Sequence, residues 1–235
     1  MPFRPAVHVP LILAGLGTVL FTVGLLIWTS DSSRREASRG ASLPVVTTTT
    51  LGSRTVGEVV LLEGRLAAGN RAGFREFVAY RRYAFAGVED SGVNKGREKW
   101  KPLEVVTPPL TIDTRDGTAT VTNSRYELQA EPHYWRYVDL ASNPFGRSGD
   151  LVYGFFAGDV VTVEGRVVEP VEKAGTRALE ALALYGGDRA AYLAYLQGGV
   201  LATQILGAVF TGLGLLLLAG WLWRRGIGKK SPRRN

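Results

Sequence analysis

Hydrophobic residues follow two different patterns along this chain. At its two ends they form unbroken runs. VPLILAGLGTVLFTVGLLIWTS (residues 9–30) and GGVLATQILGAVFTGLGLLLLAGWLW (residues 198–223) contain no charged side chain. A helix needs about 20 apolar residues to cross a hydrocarbon core, so each run predicts a transmembrane helix. Tyr192 and Tyr195 precede the second run and Trp221 and Trp223 close it, as an aromatic belt would. The alternative for the first run is a cleaved signal peptide. Its apolar stretch exceeds the usual length and no convincing small-x-small cleavage site follows it, which favours a retained anchor.

Between the runs the pattern becomes short and β-like. VGEVVLLEGRLA, FREFVAYRRYAFAG, REKWKPLEVV, PLTID, GTATVT, WRYVDL, LVYGFF, DVVTVEGRVV and TRALEALAL are rich in β-branched or aromatic residues, with turn residues between most of them. In the second segment Phe77, Ala79, Arg81, Tyr83 and Phe85 alternate with Val78, Tyr80, Arg82 and Ala84. Many short strands between turns predict a barrel-like or sandwich-like, OB-like β domain. One segment echoes another: VVLLEGRL (59–66) returns as VVTVEGRV (160–167). The interior glycines, Gly64 and Gly165, predict strand bends. The expected order is an N-terminus (1–8), a first span (9–30), a Ser/Thr-rich linker (31–52) and a β-rich domain (53–187). A short juxtamembrane helix (188–197), a second span (198–223) and a basic tail (224–235) follow. The fold class is a mainly β membrane protein, the domain being inserted between two transmembrane helices.

Charge gives this order a direction. The chain carries a net charge of +7. All Asp and Glu lie between residues 31 and 197, where Lys and Arg equal them in number. The excess comes from Arg4 and from Arg224, Arg225, Lys229, Lys230, Arg233 and Arg234. It therefore predicts topology and lipid contact, not nucleic-acid binding. By the positive-inside rule both termini are cytoplasmic and the domain is extracytoplasmic, in a prokaryotic plasma membrane. Arg34, Arg35 and Arg39, beside the first span, oppose this weakly.

Candidate chemistry is sparse. There is no Cys, which excludes disulfides, thiolate metal sites and a Cys nucleophile. PLTIDTRDGTATV places Asp113 and Asp116 before Gly117, but an EF-hand loop would need acidic ligands where Ile112 and Thr114 stand and a Glu at Asn123. Asp116-Gly117 instead predicts a hairpin corner, a residue pair that tolerates positive φ. Ser148, His133 and Asp113 could compose a hydrolase triad, although no G-x-S-x-G elbow is present. Tyr80, Tyr83, Trp100, Tyr134, Trp135 and Tyr137 could form a ligand groove or simply the core. No cofactor is expected. The expected partners are the bilayer, other membrane or envelope proteins and a second copy held through the transmembrane helices.

The order of motifs resembles the GIDE-type domain, also called BAM ("beside a membrane"). The matching features are an N-terminal span, an E-G-x-[LV] strand, VAYRRYAF, a lone Trp100, PLTIDTRDGTATV, GDVVTVEGRV and a second span. The resemblance covers roughly residues 50–223. In the mitochondrial ubiquitin ligase activator this domain lies between two membrane helices and a RING finger follows. Without Cys this chain cannot hold RING zinc. The resemblance therefore implies the membrane-flanked module alone: a non-catalytic scaffold, sensor or protein-binding domain. An envelope hydrolase (Ser148/His133) and a peptide- or lipid-binding domain are the alternatives.

Overall fold

The computed structural model describes residues 31–32, 34–139, 148–169 and 177–227. The predicted first span (9–30), Arg4 and the tail residues Lys229, Lys230, Arg233 and Arg234 lie outside the described residues. Leu43–Tyr192 forms one compact unit and the flanking segments form another.

The body is mainly β. Its strands are β1 (Val45–Val46), β2 (Val59–Leu66), β3 (Phe77–Val88), β4 (Glu98–Val106), β5 (Leu110–Thr114), β6 (Gly117–Val121), β7 (Glu127–Gln129), β8 (His133–Asp139), β9 (Ser148–Phe156), β10 (Val160–Val168) and β11 (Ala178–Gly186). Five of them close a barrel in the cyclic order β2-β10-β11-β6-β5, with β5 returning to β2. All barrel pairs are antiparallel except β11–β6. β1 adds to the barrel alongside β2, and β7 alongside β11. The two long excursions, from β2 to β5 and from β6 to β10, supply a separate antiparallel sheet of order β4-β3-β9-β8.

Alternation explains the barrel. Along β10 the inward residues Val161, Val163 and Val167 are buried, and from β2 come Val60, Leu62 and Leu66. Leu110, Ile112, Val121, Leu179 and Leu184 complete the lining, with Phe155 and Val78 from the second sheet. The echoed strands pair with each other. Leu62 faces Val163, Gly64 faces Val161, and Val60 faces Gly165. The repeat therefore lies on a local pseudo-two-fold axis, one copy on each side of it.

The two glycines do different work. Gly165 lies at a register shift against β11, between Glu164 and Gly165. Gly64 permits a close approach: a Cβ there would lie 2.5 Å from the Asp113 carbonyl oxygen. That contact is at the seam where β5 closes on β2, which has only two register pairs, Arg65–Asp113 and Leu66–Ile112.

Both thin seams are extended by an asparagine acting as a piece of strand. The Asn70 amide donates to Thr111 O (2.7 Å) and accepts from Thr111 N (2.8 Å) beside the β2–β5 seam. The Asn123 amide donates to Ala181 O and accepts from Ala181 N, both at 2.8 Å, beyond the single β6–β11 register pair. A side-chain amide presents the same donor and acceptor as a peptide group, so the ladder continues past the end of the strand.

The expected linker (31–52) carries some regular structure of its own among the described residues. Residues 34–42 are helical, β1 follows, and α1 (Thr48–Leu51) comes next. The expected juxtamembrane helix and second span are one continuous helix, α2 (Arg189–Ile227), with no break at Gly198-Gly199. Arg224 and Arg225 fall in its last turn.

Candidate interaction surface

The β5–β6 hairpin decides the reading of Asp113 and Asp116. Thr114 pairs with Gly117 across the two-residue corner Arg115-Asp116. Gly117 alone carries the positive φ there, at +146°, so the corner needs one permissive residue, not the pair. Asp116 has a different task. Its carboxylate accepts hydrogen bonds from Thr47 Oγ1 (2.5 Å), Thr48 N (3.0 Å), Thr49 N (3.1 Å) and Thr114 Oγ1 (2.9 Å). This ties α1 to the hairpin. Donation from Thr47 and Thr49 holds the carboxyl well below the usual carboxylate range. The Asp113 carboxylate accepts from Thr118 Oγ1 at 3.4 Å. The two carboxylates do not converge, and no group of three or more potential metal ligands exists among the described residues.

The hydrolase arrangement does not assemble. His133 faces Gly154 at one end of the β8–β9 ladder, and Ser148 faces Asp139 at the other. Six residue steps separate these rungs, about 20 Å along a strand. His133 instead contacts Asp159 Oδ1 (2.8 Å) and stacks on Phe156 with ring centroids 4.1 Å apart. Asp159 also accepts from Phe156 N at 2.7 Å, so the pair closes the β9–β10 corner.

The side sheet divides the aromatic residues between its two faces. Register places Tyr80, Arg82, Val152, Trp135 and Tyr137 on one face. There Tyr80 is buried, its phenol pushed up by burial and by nearby Glu104. Phe74 packs on both Tyr80 and Trp135. Trp135 stacks with Tyr137 at 6.1 Å. Arg75, in the left-handed region at φ +49°, lays its guanidinium 3.9 Å from the Trp135 ring centre. Arg82 binds Asp150 through two nitrogens (2.9 and 3.1 Å) below Phe74. This face is mostly packed, although Tyr137 is 52% exposed.

The opposite face is open. Tyr83, Tyr153 and Tyr134 form a row with centroid separations of 6.1 and 6.3 Å. Tyr134 is 72% exposed, and Leu103 and Val105 on β4 are also exposed. Phe85 and Trp100 meet edge-to-face beside this row, and the Trp100 indole donates to Glu98. Glu98 in turn pairs with Arg136 across the sheet. The six aromatic residues selected from sequence thus do not make one groove. Tyr80, Trp135 and Tyr137 lie on one side, Tyr83 and Tyr134 on the other, and Trp100 against Phe85. Sequence reasoning missed Tyr153, although its alternation with Val152 in LVYGFF carries the signal. It also missed Asn70 and Asn123, which local pattern does not mark.

The body receives and releases the chain at adjacent places. β1 lies beside β2, with Val45 opposite Leu61. Leu61 faces Glu164 on its other side, so Val45 and Glu164 are two strand spacings apart, roughly 10 Å. At the exit, the Asp188 side chain caps α2 by accepting from Ala191 N at 2.8 Å. Arg189 N donates to Glu63 (3.1 Å), and Tyr192 donates its hydroxyl to Glu164 (3.0 Å) while packing on Tyr185.

Within α2 the stretch Arg189–Phe210 is long and apolar enough to cross a membrane, with 22 residues and a mean hydropathy of 1.4. Leu201, Ile205, Leu206, Val209, Phe210 and Leu216 are exposed along the helix. No family model, curated protein or solved structure matches the chain.

Proposed function

We propose that this chain is a membrane-anchored, non-catalytic module. It holds an extracytoplasmic β body between two transmembrane helices and serves as a scaffold, sensor or protein-binding domain. The observation that carries the reading is α2, whose exposed Leu, Ile, Val and Phe side chains would be unstable in water and are at home in lipid. The neighbouring points where the chain enters and leaves the body support the second half. Two spans joined to adjacent strands suit a domain clamped to one bilayer surface at both ends. The neutral middle and cationic ends give the orientation, both termini cytoplasmic in a prokaryotic plasma membrane.

The cyclic strand order, with its one parallel pair, supports an OB-like reading of the barrel, and the resemblance to the GIDE/BAM domain fits a body of this kind beside a membrane. A second reading, a peptide- or lipid-binding domain, draws on the open Tyr83–Tyr153–Tyr134 row. A fluorescent protein that matures only in the cytosol tests the topology. Fused after Asn235 it should fluoresce; inserted at Val93, in the exposed β3–β4 turn, it should stay dark. The reverse pattern removes the reading. Binding of peptides or lipid vesicles that survives replacement of Tyr83, Tyr134 and Tyr153 by Ser removes the second.

A further inference from the structure

The side sheet has two edges, and they are built differently. β4 is guarded. Lys99 and Lys101 are exposed on it, and Pro102 has no N–H to offer. β8 lacks both devices. Its sequence, His-Tyr-Trp-Arg-Tyr-Val-Asp, contains no Pro and no Lys. It pairs with β9 alone, and among the described residues its outer edge has no backbone hydrogen-bond partner. The barrel's own outer strand, β1, is only two residues long, and brevity is itself a guard. β8 is therefore the one long edge without Lys or Pro among the described strands, Arg136 and Asp139 being its charged residues. What satisfies such an edge is an extended polypeptide, because only another strand supplies alternating N–H and C=O groups.

We propose that the occupant is β8 of a second copy, paired antiparallel about Arg136. The strand is self-complementary in that register. Trp135 comes opposite the second copy's Tyr137, and Tyr137 opposite its Trp135. Two aromatic cross-strand pairs form on the face where these rings already stack. Tyr134, exposed at 72%, comes opposite Val138 of the second copy. The two Arg136 residues meet at the centre, each already paired with its own Glu98. The two side sheets become one continuous eight-stranded sheet, and neither β8 remains an edge. The pairing does not rest on the membrane reading and is distinct from association through the apolar helices.

Because the chain has no Cys, single introduced thiols report cleanly. Arg136→Cys puts two thiols on the symmetry axis, where facing Cα atoms of an antiparallel pair lie about 4.5–5.5 Å apart, within disulfide reach. Tyr134→Cys separates them by four residue steps, roughly 13 Å. Lys101→Cys, on β4, is the control for random collision. With the full-length chain dilute in detergent micelles under mild oxidation, Arg136→Cys should convert mainly to covalent dimer. The other two should remain at least tenfold lower. Light scattering of the unsubstituted chain should give the mass of two copies. Equal cross-linking at the three positions overturns the pairing. So does a monomeric mass, or a dimeric mass without the Arg136→Cys bond, which would assign association to another surface.

Discussion

Replacing Gly64 by Ala probes barrel closure where it is thinnest. The added Cβ would stand 2.5 Å from the Asp113 carbonyl oxygen and 2.6 Å from Ile112 Cγ2, both inside the 3.0 Å that Cβ atoms essentially never breach. β5 would have to retreat by about 0.5 Å or more, while β6 holds it from the other side through five register pairs. Overpacking of this kind costs about 1–3 kcal/mol, and a stretched seam hydrogen bond adds about 1 kcal/mol. The entropy gain of Ala over Gly offsets roughly 0.5–1 kcal/mol. The net loss is about 2 kcal/mol, a fall in Tm of about 4–8 °C for a body of this size. Gly165 occupies the equivalent place in the echoed strand, yet its Cβ would meet nothing nearer than 3.1 Å. Gly165→Ala should move Tm by less than about 2 °C. Thermal unfolding of both full-length variants in micelles, followed by circular dichroism, compares them. Equal shifts, or a neutral Gly64→Ala, would refute the assignment of Gly64 to the seam.

Three further outcomes follow from the same geometry. Asn123→Ala removes two hydrogen bonds that extend the β6–β11 ladder and should cost about 2 kcal/mol in chemical denaturation; no loss would mean the seam closes without it. Asp116 has a depressed folded pKa, so its contribution is fully present above the ordinary carboxylate value and disappears as pH falls through the folded one. Asp116→Asn should therefore lower stability at neutral pH and flatten the acid limb of the stability profile, and parallel profiles would contradict this. Asp188→Ala removes the α2 cap, for a cost of about 1 kcal/mol, and should speed amide exchange in residues 189–192 specifically.

Much of the body is legible in sequence because alternation is local. β2, β5, β6 and β10 stand where their β-branched runs lie, and the Asp116-Gly117 corner joins β5 to β6. The local order in the linker comes from outside its own residues. Thr47–Thr50 look like an irregular polar stretch, and the group that orders them, Asp116, lies 69 positions from Thr47. β3 resisted division into inner and outer faces because its first four residues, Phe77–Tyr80, are buried on both sides. Val78 and Ala79 join the barrel core, whereas Phe77 and Tyr80 pack with Phe74 and Trp135. Aromatic content in such a strand cannot separate core from groove. The interleaving of two excursions into one sheet is likewise a product of long-range pairing, as in Tyr83 with Leu151. Gly198-Gly199 read as a boundary, but glycine inside a helix costs only about 1 kcal/mol relative to Ala, and α2 runs through.

The central claim is that a bilayer separates the β body from the cationic ends, and thiol labelling in intact cells addresses it directly. Val93→Cys, at the fully exposed tip of the β3–β4 turn, and Ser231→Cys, in the basic tail, are each treated with a membrane-impermeant maleimide before and after lysis. The account predicts that Val93→Cys reacts in intact cells (with the outer envelope opened) and that Ser231→Cys reacts only after lysis. Labelling of Ser231→Cys in intact cells with Val93→Cys protected, or recovery of the unmodified chain in the soluble fraction without detergent, would contradict it.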